Sequence, residues 1–370
     1  MNNKIPITWL LLCLSVMVTP LLPSAASGFG VLYLSIFYFS GIIFLVTLLA
    51  RLERNRLSLV LIMVVGFILS SFFYLIHLKN SSIQGPFLLT ILLASNFAQG
   101  RFYRKKQLVT EREALAIGIL LFLVFLYSMR AIDGRQASFS GDPNHTAALF
   151  ILPTLLLTTY SKNLKHRLFL YAISFTYAIL AISRGGIIAI VAYIFYKNII
   201  GRFGRRYRIY VLIAISVLMI SMQYIFLAVF MDALSSSENG RNATGVFDQS
   251  NFGRISSFGY AIPYLYKSIE AFLIGSQEYW KNSSGFSVIL HHGFLDLALQ
   301  NGVPLVLFVT YLAGVLAVRT RIDYEAYFVS LVIVGSSLSA VIFAFPILIM
   351  IIACVAQDAS SRVTKFYKNE

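Results

Sequence analysis

Chemistry has few places to reside in this chain, and the most pointed is Ser183-Arg184-Gly185-Gly186, an arginine and two glycines set between apolar segments. The glycines give the backbone freedom to turn sharply, and so tight a turn holds Arg184 at an interface, where its guanidinium either snorkels to lipid headgroups or meets a large anion that the glycines let approach. Gly253-Arg254, 21 residues ahead of Gly275, places a second arginine in the one long polar stretch. Two arginines suit a diphosphate, because each donates a forked pair of hydrogen bonds to phosphate oxygens and offsets charge as a leaving group departs. His291-His292-Gly293-Phe294-Leu295, followed by Gly302, adds imidazoles that exchange protons near neutral pH.

Each feature also has a plainer reading. A loop arginine is usually solvated, and a lone interfacial histidine is commonly a polar cap. Asp296 stands four residues after His292, close enough to pair with it along a helix. Gly141-Asp142-Pro143-Asn144-His145-Thr146 opens an apolar run with the residue types that cap a helix start. The alternative is that Asp142, Asn144 or His145 hydrogen-bonds sugar hydroxyls. With Arg135 and His292 these three form the substrate-binding candidates; Arg184, Arg254 and His291 are the catalytic ones. Cys13 and Cys354, the two cysteines, lie inside apolar runs and are too few for a disulfide framework or a metal cluster. No zinc, nucleotide or serine-hydrolase pattern occurs, so neither cofactor nor metal is expected.

Apolar helices must carry these residues. Of 370 residues 58% are hydrophobic and 12% charged, with a mean hydropathy of +0.78. A bilayer core takes about 20 mostly apolar residues per helix. Such runs fall near 7–22, 29–50, 57–78, 83–98, 114–129, 146–159, 167–183, 185–199, 210–230, 293–318, 325–340 and 342–357. The expectation is an all-α, polytopic transmembrane protein of about 12 spans, a single integral membrane domain over 1–370 whose first run is an uncleaved span. With the N-terminus cytoplasmic, all but eight of the 30 basic residues fall in cytoplasmic segments; the exceptions are Lys79, Arg130, Arg135, Arg184, Arg241, Arg254, Lys267 and Lys281. The positive-inside rule therefore places both termini in the cytoplasm. The net charge of +15 is divided among short loops such as Arg101 to Arg112 and Lys197 to Arg208, which suits membrane lipids as partners and not nucleic acid.

On the opposite side, 231–290 forms one large extracytoplasmic loop, the kind of segment that carries function. Within it, Phe258 to Ile274 has the spacing of a helix lying on the membrane surface. From His291 to Gly302 two geometries stay open. A continuous helix would put both on one face; Asn301-Gly302 before Pro304 instead reads as a turn between a short interfacial helix and a span beginning near Val303. Asp and Glu avoid the span interiors, whereas transporters place ionisable groups there.

Together these motifs resemble the O-antigen ligase and O-antigen polymerase (Wzy-type) superfamily of bacterial envelope glycan transferases. The resemblance covers about 141–314 and rests on Asp142-Pro143-Asn144 before a span, Ser183-Arg184-Gly185-Gly186, Gly253-Arg254 with Gly275, and His291 with Leu295 and Gly302. Asn is common in the family where His292 stands, and a second glycine often follows the position of Gly275, where this chain has Ser276-Gln277. The resemblance implies a fold related to the GT-C membrane glycosyltransferases and an inverting, metal-independent transfer from undecaprenyl-diphosphate-linked oligosaccharide. That transfer would take place on the periplasmic or outer face of the bacterial cytoplasmic (inner) membrane. Arg184 and Arg254 would hold the diphosphate, and His291 would orient or deprotonate the acceptor hydroxyl. A chain-length regulator and a flippase of the same pathway are the implied protein partners. A polymerase takes a lipid-linked repeat unit as acceptor, and the Asp142-Pro143-Asn144 element favours it. A ligase takes lipid A core or another terminal acceptor, and a flippase of lipid-linked oligosaccharide is a third reading.

Overall fold

Helix boundaries follow capping chemistry at several of the chain's turns. The computed structural model describes residues 29–51, 56–76, 84–98, 110–132, 135–137, 143–215, 218, 259, 261–276, 292–336 and 346–355. Helices α1 (Phe29–Arg51), α2 (Arg56–Ile76) and α3 (Gln84–Ala98) precede α4 (Glu111–Ser128), which opens on a capping box between Thr110 and Glu113. A short antiparallel hairpin follows, β1 (Arg130–Ile132) with β2 (Arg135–Ala137), in the register Arg130↔Ala137. Next come α5 (Pro143–Thr158), α6 (Leu164–Leu180, capped by Asn163) and α7 (Arg184–Asn198, capped by Ser183). Beyond them lie α8 (205–215), α9 (261–266), α10 (Ile269–Ile274), α11 (Gly293–Asn301), α12 (Val303–Thr320), α13 (Ile322–Gly335) and α14 (Pro346–Val355).

Among the described residues the protein is almost wholly helical, and two helices organise the packing. The first is α5, buried from His145 through Thr158 and in contact with α4, α6, α7, α13 and β2. The second is α3, which meets α1, α2, α11 and α12. Where α7 crosses α13 the backbones come close enough for the Ser330 hydroxyl to donate to the Ala189 carbonyl at 2.8 Å.

The helices define two opposite ends. At one end the Glu111 carboxylate accepts from the Asn163 N–H at 2.9 Å and the Ser161 hydroxyl at 3.0 Å, and lies 2.8 Å from His166 Nδ1, joining the starts of α4 and α6. The same end holds Lys197 paired with Asp323 at 2.6 Å and Arg208 paired with Glu325 at 3.0 Å. Because α6 runs away from this end and α7 returns to it, the turn between them, with Arg184, is at the other end. The start of α12 belongs there too, since the 18 residues of α12 rise about 27 Å and finish beside the start of α13.

Three expectations are corrected. The stretch from Phe258 to Ile274 is not one helix: α9 and α10 part at Lys267-Ser268, where the Ser268 hydroxyl accepts from the Ala271 N–H at 3.0 Å and starts α10 afresh. Gly302, with a φ of 85°, divides α11 from α12, so the span near 293–318 begins at Val303. Lys197 and Arg208, expected as basic loop residues that suit lipid headgroups, are paired with carboxylates, and the Glu325 side chain is fully buried.

Among the described residues, Arg184–Arg202 and Val303–Thr320 are long and apolar enough to cross a membrane, and five shorter apolar helices accompany them. On α2 the outward face from Leu57 through Leu61, Val64, Ile68 and Phe72 to Leu75 is apolar and exposed along its length.

Candidate functional site

Arg184 reaches its position through an unusual turn. At the end of α6 the Ser183 N–H donates to the Ala178 carbonyl at 2.8 Å and the Ile182 N–H to the Ile179 carbonyl at 3.0 Å, the paired bonds of a Schellman motif. That motif demands a left-handed residue, and Ile182 fills it with a φ of 49°. The expectation that glycines supply this turn is therefore corrected. Gly185 and Gly186 belong to the first turn of α7, and a Cβ on Gly186 would come within 2.7 Å of Ile151 Cδ1 on α5. Gly186 permits close helix packing, while the Ser183 hydroxyl accepts from its N–H at 3.2 Å. The Arg184 side chain, first in the helix, is exposed.

The neighbouring helix α5 starts at the same end. Pro143 occupies its first position, where the missing N–H costs nothing; Asn144 is half-buried and His145 buried. The β1–β2 hairpin, which carries Arg135, lies against α5 through β2. It went unforeseen, although Asp133-Gly134 between its strands is a strong two-residue hairpin signal.

His292 caps α11. Its Nδ1 accepts from the Leu295 N–H at 3.0 Å, and its carbonyl accepts from the Asp296 N–H at 2.8 Å. The ring is buried against Phe294, with centroids 6.0 Å apart. Burial lowers the imidazole pKa to about 3, so the ring is neutral at physiological pH. His292 thus serves as the cap of the helix start through Nδ1. Asp296, for its part, accepts from the Gln300 amide at 2.9 Å.

Gly275 and Gly302 explain the remaining glycine spacing. Gly275 ends α10 with a φ of 97° and Gly302 ends α11 with a φ of 85°. A Cβ on Gly275 would sit 2.6 Å from the Leu299 carbonyl oxygen, and one on Gly302 would collide with the carbonyl of Leu273. Between them the Ser276 N–H donates to the Leu299 carbonyl at 2.8 Å. Nearby, Gly85 at the head of α3 abuts the buried Asn301 side chain, with Leu305 Cδ2 2.8 Å from where its Cβ would be.

The first turns of α3, α5, α7 and α12 and the last turn of α11 therefore share one end of the molecule, and Arg184, Asn144 and His145 are on it. Arg254, His291 and Asp142 lie outside the described residues, as does the Arg135 side chain. An apolar cavity of about 660 Å³ opens between α1, α2 and α3, with Tyr38, Phe67, Leu75 and Phe87 in its wall. Among the described residues no group of three or more His, Cys, Asp or Glu side chains is placed to hold a metal ion. Comparison of the sequence with protein-family models gives no match, and comparison with curated proteins gives none.

Proposed function

We propose that the chain is a multi-pass protein of the bacterial cytoplasmic membrane that extends a polysaccharide on its extracytoplasmic face. It would be an inverting glycan polymerase of the O-antigen ligase and polymerase superfamily, with about 12 spans and a fold related to the GT-C glycosyltransferases. The observation that carries this reading is the exposed Arg184 guanidinium at the head of α7, on the end where α5 and α12 also begin. A fixed cation beside helix N–H groups suits a diphosphate leaving group. The exposed apolar face of α2, about 27 Å long at 1.5 Å per residue, is of a length that hydrocarbon covers. The cavity beside it suits part of an isoprenoid chain.

In this mechanism the acceptor hydroxyl attacks the anomeric carbon of the donor glycan from the face opposite the diphosphate. The bond to the diphosphate oxygen breaks with inversion, Arg184 and Arg254 take up the departing charge, and His291 orients the hydroxyl or accepts its proton. The test is purified protein in detergent, supplied with undecaprenyl-diphosphate-linked oligosaccharide and defined acceptors. Growth of glycan on lipid-linked repeat units, lost in Arg184→Ala and His291→Ala, supports the proposal. Product on lipid A core alone makes the protein a ligase, and no new glycosidic bond with any acceptor ends the reading.

A further inference from the structure

At the end remote from Arg184, a cavity of about 490 Å³ runs between α8 and α12. Its walls are apolar, with Ile209, Leu212, Ile213, Leu307, Val315 and Phe328 among them, and Arg205 and Arg319 stand at one extremity. The cations at this end fall into two groups. Lys197 and Arg321 pair with Asp323, and Arg208 pairs with Glu325. Arg205 and Arg319, like Arg202 and Arg206, are exposed and form no carboxylate ion pair among the described residues, and of these four only Arg205 and Arg319 line the cavity. The depth is equally specific. From Arg319 back to Leu307 α12 rises about 18 Å at 1.5 Å per residue, close to half of a hydrocarbon core about 30 Å thick. A cationic mouth above an apolar slot one leaflet deep matches a lipid whose headgroup is an anion.

We propose that this cavity is a binding site for an anionic phospholipid of the leaflet opposite the transfer site, its phosphate between Arg205 and Arg319 and an acyl chain along α8 and α12. The assignment rests on the membrane reading above, and not on the glycan chemistry. Paired arginines hold phosphate through several donors, and a basic pocket between helices favours acidic over zwitterionic lipids.

The test uses the full chain purified in mild detergent, with phosphatidylglycerol and phosphatidylcholine of identical acyl chains as probes. Retention is read by native mass spectrometry and the melting temperature by intrinsic fluorescence. Phosphatidylglycerol should be retained about tenfold or more over phosphatidylcholine and should raise the melting temperature. Arg205→Gln with Arg319→Gln should abolish the preference, and because both side chains are exposed the lipid-free melting temperature should hold. Thr310→Trp, which fills the slot and changes no charge, should weaken both lipids. Equal retention of the two lipids, an undiminished preference in the double glutamine variant, or equal protection by inorganic phosphate would overturn the site. Recovery of the chain from cells in the soluble fraction, without detergent, would instead remove the membrane reading on which it depends.

Discussion

Gly275 and Gly302 are mutually required: each stands at the end of its own short helix with a positive φ, and each backs onto the last turn of the other's helix. Backbone meets backbone there, with no side chain able to yield. Because ψ is 164° at Gly275 and 156° at Gly302, both occupy a region that is essentially reserved for glycine. Gly275→Ala and Gly302→Ala should each cost about 3 kcal/mol or more. The double variant should cost much less than the sum, since both break one contact. Thermal unfolding of the purified protein reads this out, and additive losses would show that the two glycines act separately.

Ile182 presents the opposite situation. A left-handed residue with a branched side chain costs roughly 1–2 kcal/mol, and the side chain is 55% exposed, so little packing offsets it. Ile182→Gly should stabilise the protein by about 0.5–1 kcal/mol after the entropy cost of glycine, measured as a raised melting temperature. A lowered one would mean that the Ile182 side chain is anchored by lipid or by a partner.

His292 gives stability a pH dependence. Its imidazole titrates near 6.5 when unfolded and near 3 when folded, so the unfolded chain binds the extra proton first. The contribution is complete above about pH 6.5 and falls as pH drops towards 3, at a limiting slope of about 1.4 kcal/mol per pH unit. His292→Asn, which retains a side-chain acceptor for the Leu295 N–H, should keep neutral-pH stability and flatten the acid loss. An unchanged acid profile would assign that loss to other groups.

The Arg208–Glu325 pair is buried at its acidic member, which also accepts from the Tyr196 hydroxyl at 3.0 Å. Arg208→Met alone strands a carboxylate and should cost about 3–5 kcal/mol. Adding Glu325→Leu should restore most of it. If the double variant is no better than the single, Glu325 supports the fold through Tyr196 and not through charge.

Arg184→Ala should leave folding intact, because the side chain is exposed at the head of α7, while abolishing glycan extension in cells. Arg184→Lys should recover only part of it, since a point charge lacks the forked geometry. Polymer of normal length and amount at normal protein levels, in both variants, would remove Arg184 from the site. Tags after Tyr279 and after Arg205 should report on opposite sides of the membrane.

Much of the helical layout is written locally. Apolar runs mark the helices, Thr110 with Glu113 marks the start of α4, and the pairing of Asn301-Gly302 with Pro304 marks the break that the structure realises. Pro143 likewise opens α5, as its motif suggests. What local sequence conceals is contact across distance. Nothing near Glu325 announces Arg208, 117 positions earlier, nor does anything near Gly275 announce the end of α11. Ile182 is hidden for another reason: its neighbours, two hydrogen bonds and a serine cap, impose a conformation that its own chemistry resists.

The Ser330 to Ala189 hydrogen bond spans 141 residues, and that interval is also a time. A ribosome adding about 5–20 residues per second finishes α7 roughly 7–28 s before α13 exists to cover it. In that interval Ala189, Ile190 and Tyr193, all buried in the finished fold, have α5 and α6 as neighbours among the described residues and still lack α13. Throughout that interval the face that α13 will cover waits for its partner.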